Sequence, residues 1–405
     1  VRKVYQNVAF RLVDLNTGKF QVHNKFMFTD LSEYKLSWSL YKDGENVGTE
    51  TLDIKNVLAG QKEDFIISGL MDLLNDDHEY IIQFSVESLS SNQWADPKYE
   101  IAWEQIELTS YKNKTRKKGK AEIRIEENGN QLKISSNKSI VVFDKTQGSI
   151  ISISEQNEII VEDGISLAFF RAPIDNDKQL KKLWTKAGLD RISSNLHELK
   201  INSSDNQVLI RVGKKHQAED KEWGFVSVEE YLIDENGLVI ESRISPFGNL
   251  PYSLPRLGYE LRLSHALNEF SWYGRGPGES YIDRKEGMKI AVHSGNVEDQ
   301  FVNYPMPQEN GNKSDTRWVK INNSDGVGLR IEGSQLFNTS LRKYSTKNLS
   351  EAVHPYDLVP ERHNILNIDV EQGPIGNQSC GPKALEEYWL EPNEKSVWFK
   401  FSYLD

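Results

Sequence analysis

The sequence is almost devoid of cysteine: Cys380 stands alone among 405 residues. No intrachain disulfide can form, which excludes a disulfide-stapled secreted scaffold and fits a reducing, cytoplasmic home. Long apolar runs are missing too. None approaches the roughly 20 residues that a membrane-spanning helix needs, and no signal peptide is visible. Positive charge is in deficit, with 49 Lys and Arg against 60 Asp and Glu for a net charge of −11. Such a chain repels phosphate backbones and anionic lipid, so neither nucleic acid nor a membrane is an expected partner. The eight histidines form no His-x-x-x-His pair and join no cysteine cluster, which leaves a zinc site without support. An initiator methionine is also lacking. The chain opens on Val1-Arg-Lys-Val-Tyr5, already in a strand-like pattern, as expected of a trimmed fragment.

What is present is aromatic and strand-like. Nine Trp, 16 Tyr and 16 Phe supply large rings for burial, or for flat contact with sugars. Apolar residues recur with period two: Leu36, Trp38 and Leu40 alternate with serines, and Ile82, Phe84 and Val86 alternate with Gln83, Ser85 and Glu87. One face of each such strand can be buried and the other left wet. With the stretch holding Ile101, Trp103 and Ile106, residues 1–108 read as an immunoglobulin-like β-sandwich. Six basic residues follow within Lys112–Lys120. No aromatic ring interleaves with them to stack on bases, so 109–120 is expected to be a solvated linker.

From residue 121 to 405 the chain reads as one large antiparallel β-sandwich. Two hairpins are expected at Asn128-Gly129 and Asn236-Gly237, because Asn-Gly suits a type I′ turn with both residues at positive φ. The stretch Val397–Phe401 reads as a closing strand. One clear helix is expected over Lys178–Ala187, with Leu180, Leu183, Trp184 and Ala187 on one face. Asp175 to Asp177 precede it as N-caps, and Gly188 follows as a stop. The fold class is therefore all-β.

Few motifs carry chemistry. Gly274-Arg-Gly-Pro-Gly-Glu279 fails as a dinucleotide fingerprint, since Glu279 stands where the third glycine belongs and no βαβ pattern follows. A tight backbone-determined loop suits these glycines better. Two polar clusters exceed what turns require. The first is Arg171-Ala-Pro-Ile-Asp175-Asn176-Asp177, with three short polar groups in a row. The second is Pro307-Gln-Glu309-Asn310-Gly-Asn312, gathering a carboxylate and amides. Groups that both donate and accept suit sugar hydroxyls. Glycoside hydrolysis needs two carboxylates flanking the scissile bond, and no motif selects such a pair here.

Four stretches, in order, resemble the C-terminal third of the large bacterial-type family-2 β-galactosidases. They are Arg171–Asp177, Tyr273-Gly-Arg-Gly-Pro-Gly-Glu-Ser-Tyr-Ile-Asp-Arg284, Pro307–Gly311 and Ile375-Gly-Asn-Gln-Ser-Cys-Gly-Pro382. The resemblance implies an immunoglobulin-like domain followed by a β-supersandwich of galactose mutarotase type. It implies that an absent N-terminal (β/α)8 barrel holds both catalytic glutamates and the Mg and Na ligands, with no cofactor in this portion. The substrate implied is a terminal β-D-galactoside such as lactose, and the full-length protein is expected to be a homo-oligomer. Arg171, Asp175, Asn176, Asp177, Glu309, Asn310 and Cys380 are then the expected substrate-binding residues at the pocket rim. At the position of Cys380 one branch of the family carries a tryptophan platform for the leaving group. Other members carry Ser-Cys-Gly-Pro, as here, and a thiol cannot stack on a sugar face. The loop after Asp177 looks short, because the helix pattern begins at once. Two other readings are open: the small subunit of a two-chain β-galactosidase, and a free-standing carbohydrate-binding or mutarotase-like protein. The latter requires a His and carboxylate pair in its pocket, and no motif identifies one.

Overall fold

The computed structural model describes residues 1–54, 57–75, 77–91, 96–113, 119–249 and 253–404. Lys114, Arg116, Lys117 and Lys118 of the basic stretch lie outside them. The chain divides into two compact units, Val1–Lys114 with Glu286–Val292, and Thr115–Lys285 with His293–Asp405. Both are built from antiparallel strands.

The first unit is a sandwich of a three-stranded and a four-stranded sheet. Val8–Asp14, Lys19–Asn24 and Lys62–Ile66 form one; Glu45–Thr51, Tyr34–Lys42, Tyr80–Ser88 and Glu100–Glu107 form the other in that order. Period-two alternation does what it should, putting Leu36, Leu40, Phe84 and Val86 into one core. Phe10 stacks on Phe84 at 4.6 Å between ring centroids. The outer face of Tyr80–Ser88 is drier than its alternation suggests, since Ile81 and Gln83 are buried as well. The cause for Gln83 is local: Gln105 of the neighbouring strand donates to it. Glu286–Val292, which the sequence assigned to the second region, belongs here. Gln105 exchanges two hydrogen bonds with the backbone of Ile290, and Lys289 pairs with Glu100 at 2.8 Å. An ion pair and a side-chain-to-backbone exchange leave no periodic trace in sequence.

The second unit is dominated by one large sheet. Thirteen of its 16 strands run in the order Ser193–Ser204, Gln207–Gln217, Gly224–Asp234, Gly237–Phe247, Lys395–Tyr403, Gly328–Arg342, Asn364–Gln372, Arg256–Leu263, Glu158–Ala168, Ser149–Glu155, Ser139–Asp144, Gln131–Ser135 and Arg124–Asn128. The closing strand is thus inserted mid-sheet, between two strands far apart in sequence. The sheet curls around a shared core: Phe143, near one end, packs edge-on against Tyr231, near the other, at 5.6 Å. Each such ring contributes roughly 1.5–3 kcal/mol of hydrophobic stabilisation.

Both expected hairpins form, but with a different turn chemistry. Asn128 pairs with Gln131, so the loop residues are Gly129 and Asn130, and only Gly129 has positive φ. That is the pattern of a type II′ turn, which needs glycine first. In the second, Asp234 pairs with Gly237 across Glu235 and Asn236. Gly237 sits beyond the loop at φ +126°, where a Cβ would lie 2.0 Å from the carbonyl oxygen of Phe401. Here glycine serves the close approach of the closing strand, not an Asn-Gly turn.

The helix runs Lys178–Ala187 and ends at Gly188 with φ +86°. Its inward face carries Trp184, buried with its indole N–H donating to the Ser253 carbonyl at 3.0 Å. Asp175–Asp177 form a 3-10 turn leading directly into it, so no loop intervenes. Asp177 stands at the N-cap, yet its side chain does not cap the helix. The carboxylate turns back to accept the Ile174 N–H at 3.0 Å.

Candidate functional site

The four separated stretches meet in one hydrogen-bonded cluster of the second unit. Arg171 and Asp177 form a buried pair at 3.1 Å. The same guanidinium donates to the carbonyl of Pro374 at 2.9 Å. Asn176 donates to the Gly376 carbonyl at 2.6 Å and accepts from the Ser379 N–H and hydroxyl at 3.2 and 2.7 Å. The Asp175 N–H donates to Gln308 at 3.1 Å. Glu279 accepts the Gly311 N–H at 2.9 Å and is bonded by Arg284 and Tyr304. Asp283 accepts from the N–H groups of Ile375 and Gly376. Each stretch therefore holds at least one of the others, which is why they are rich in short polar groups.

Within the cluster the expected site residues divide by exposure. Arg171, Asp177, Glu309 and Asn310 are buried and bonded to protein groups. Asn310 accepts from the Val302 N–H and donates to the Gln308 carbonyl. Their geometry shapes the backbone and leaves them almost wholly buried. Asp175 is exposed and Asn176 half-buried. Cys380 is exposed on a tight turn in which its own N–H and that of Gly381 donate to the Asn377 carbonyl.

Beneath this polar lattice lies a charge cluster that motif reading did not find. Arg256 bonds Glu309 and Asp369 together, each at 3.0 Å, and none of the three side chains is exposed. Burial opposes the Glu309 charge, but Arg256, Arg342 and Arg171 outweigh it and hold that carboxyl below its usual range. At Asp369 burial wins: reinforced by Glu309, and despite Arg256, it pushes the carboxyl up to about 7. One guanidinium thus serves two carboxylates whose proton affinities move in opposite directions, Glu309 down and Asp369 up. Burial likewise raises Asp177 against the pull of Arg171. The available signal was a charged residue on the buried face of an apolar strand, as in Arg256-Leu-Gly-Tyr and Ile368-Asp-Val.

A cavity of about 200 Å³ lies against the Arg171–Asp177 pair. Leu180, Leu183 and Trp184 of the helix line one side, and Pro374, Ile375 and Trp389 the other. Cys380 is not in its wall. A second buried network lies elsewhere on the sheet, where His216 bridges Ser194 and Ser227 at 2.7 and 2.8 Å, and Ser227 donates to Glu229. Burial lowers His216 to about 4. Among the described residues, no group of three or more His, Cys, Asp or Glu side chains is placed to hold a metal ion. No helix of the described residues is long and apolar enough to cross a membrane.

The family model of the β-galactosidase small chain matches residues 135–403. The chain belongs to that family. A second model, β-galactosidase domain 4, matches residues 20–109. The β-galactosidase of Priestia megaterium is 30% identical over 401 residues, covering 97% of this chain and 38% of that protein. That of Kluyveromyces lactis is 28% identical over 316 residues, covering 75% of this chain and 30% of its own. The chain therefore spans less than two fifths of the length of these relatives. Among solved structures, the galactose 1-epimerase of Lactobacillus acidophilus covers 71% of this chain at 8% identity with a TM-score of 0.37, a likeness too slight to bear on function.

Proposed function

We propose that this chain is the part of a β-galactosidase that shapes the rim of the active site, and that it carries no catalytic carboxylate of its own. Hydrolysis of terminal β-D-galactosides, such as lactose, then depends on glutamates in the remaining length of a longer protein or in a partner chain. The observation that carries this reading is the convergence of the four stretches. The stretches at 171–177 and 273–284 use their charge and hydrogen bonds to fasten the loop at 373–382, and the stretch at 307–311 ties those two together. Cys380, with Asp175 and Asn176 of the 3-10 turn, are the groups assigned to substrate. Arg171, Asp177, Glu309 and Asn310 act behind them, by fixing the backbone. Mg and Na, where the longer enzyme uses them, are assigned to its other part. A cytoplasmic, homo-oligomeric enzyme is the form expected. That the matched family is described as a small chain favours one variant of this reading, in which the chain is a separate subunit.

The test is hydrolysis of a chromogenic β-galactoside by the purified chain, alone and mixed with the N-terminal part of a relative. Turnover should appear only in the mixture. Turnover by the chain alone would sink the proposal, and galactose mutarotation by the chain would point to the epimerase-like alternative.

A further inference from the structure

The 273–284 stretch ends in a turn whose tip is aimed at the rim loop. Tyr281 and Arg284 close it with reciprocal backbone hydrogen bonds at 3.2 and 2.8 Å, leaving Ile282 and Asp283 at the tip. The base is fixed from behind. Ser280 donates its N–H to the Asn312 carbonyl at 2.7 Å and accepts from Asn312 and Ser314. The Asp283 carboxylate reaches out of this base to the loop. Its Oδ1 accepts the Ile375 N–H at 3.0 Å, and its Oδ2 the Gly376 N–H at 2.7 Å.

Two successive backbone N–H groups converge on one carboxylate, and Gly376, which supplies the second, has φ +57°. Successive backbone N–H groups directed at one anion form an anion-binding concavity. A Cβ at Gly376 would meet nothing closer than 3.7 Å, so glycine is required there for backbone conformation and not for space. Ile375 and Pro374 line the 200 Å³ cavity, and further ties come from Arg171, from Asn176 and from the Gly373 N–H, which donates to the Pro255 carbonyl at 3.0 Å.

We propose that Asp283 is a positioning residue: through the amides of Ile375 and Gly376 it sets the conformation of the 373–382 loop and so the place of Cys380. The part concerning substrate rests on the rim reading above. Charge-assisted hydrogen bonds of a carboxylate to backbone N–H groups are the strong class, and nothing apolar replaces them when they are removed.

The test compares the chain with its Asp283→Ala, Asp283→Asn and Asp283→Glu variants. Amide exchange over 373–382 should rise about tenfold in Asp283→Ala, less in Asp283→Asn, and return toward the parent in Asp283→Glu. The reaction of Cys380, the chain's one thiol, with a small disulfide reagent should change in the same order. Exchange over the strand Gly224–Asp234 should stay as in the parent, which separates local loosening from general destabilisation. Unchanged exchange over 373–382 in Asp283→Ala overturns the proposal, as does a rise shared equally by both segments. In the reconstituted enzyme, Asp283→Ala should raise KM for an aryl β-galactoside about tenfold, with kcat within about threefold of the parent. A loosened loop with unmoved KM would leave the positioning role standing and overturn the rim reading.

Discussion

Arg256 holds two buried carboxylates at once, and removing it should be among the most damaging single changes in the molecule. Arg256→Met would leave Glu309 and Asp369 buried without their shared cation. Breaking a buried pair in this way costs about 3–5 kcal/mol, readable as a lower urea midpoint. A second prediction at this scale concerns pH. Burial lowers His216 to about 4, so as pH falls the unfolded chain takes up that proton first. This contribution is whole above about pH 6.5 and is lost between there and pH 4. Asp369 is raised to about 7, so the folded chain holds its proton first and gains stability over nearly the same window. The two slopes oppose each other. Asp369→Asn removes one and leaves the other, so between pH 7 and 4.5 the variant should lose on the order of 3 kcal/mol relative to the parent. Parallel stability curves for variant and parent would refute this. Of the buried cluster only Glu309 stood out in the sequence; that it joins Arg256 and Asp369 did not, because Arg256 lies 53 residues from Glu309 and 113 from Asp369. The carboxylates and amides of 171–177 and 307–312 were legible as unusual. Their use in fastening backbone was not, since the partners come from other stretches.

At the scale of elements, the helix Lys178–Ala187 was legible in its span and its stop, because its apolar spacing and its closing glycine are both local, but not in its capping. The stop is predicted to matter. Gly188 has φ +86°, and a Cβ there would approach that of Ala218 to 2.8 Å. Gly188→Ala should therefore cost about 1–3 kcal/mol, seen as a lower thermal midpoint; a neutral outcome would contradict the left-handed cap. The hairpins were legible as hairpins, but their turns were not. In Asp234–Gly237 the decisive constraint is Phe401, on a strand more than 160 residues away. Local turn rules cannot see such a neighbour. The same holds for the rim loop, whose conformation depends on Asp283, Asn176 and Arg171 from two distant stretches.

The whole molecule was legible as all-β from period-two patterning. The transfer of Glu286–Val292 to the first unit was not, since it rests on Gln105 and Glu100. Function became legible only when four short stretches were taken together, and the structure gives the physical reason: they touch. With less than two fifths of its relatives' length, the chain is expected to act by completing a pocket, so its effect on catalysis should lie in binding more than in chemistry. The most direct measurement is the KM of the reconstituted enzyme after Cys380 has been capped with N-ethylmaleimide in the separate chain. A KM for aryl β-galactosides raised several-fold, with kcat within about twofold, is the expected result; a capped chain that assembles and leaves KM unchanged would contradict the placement of this loop at the rim.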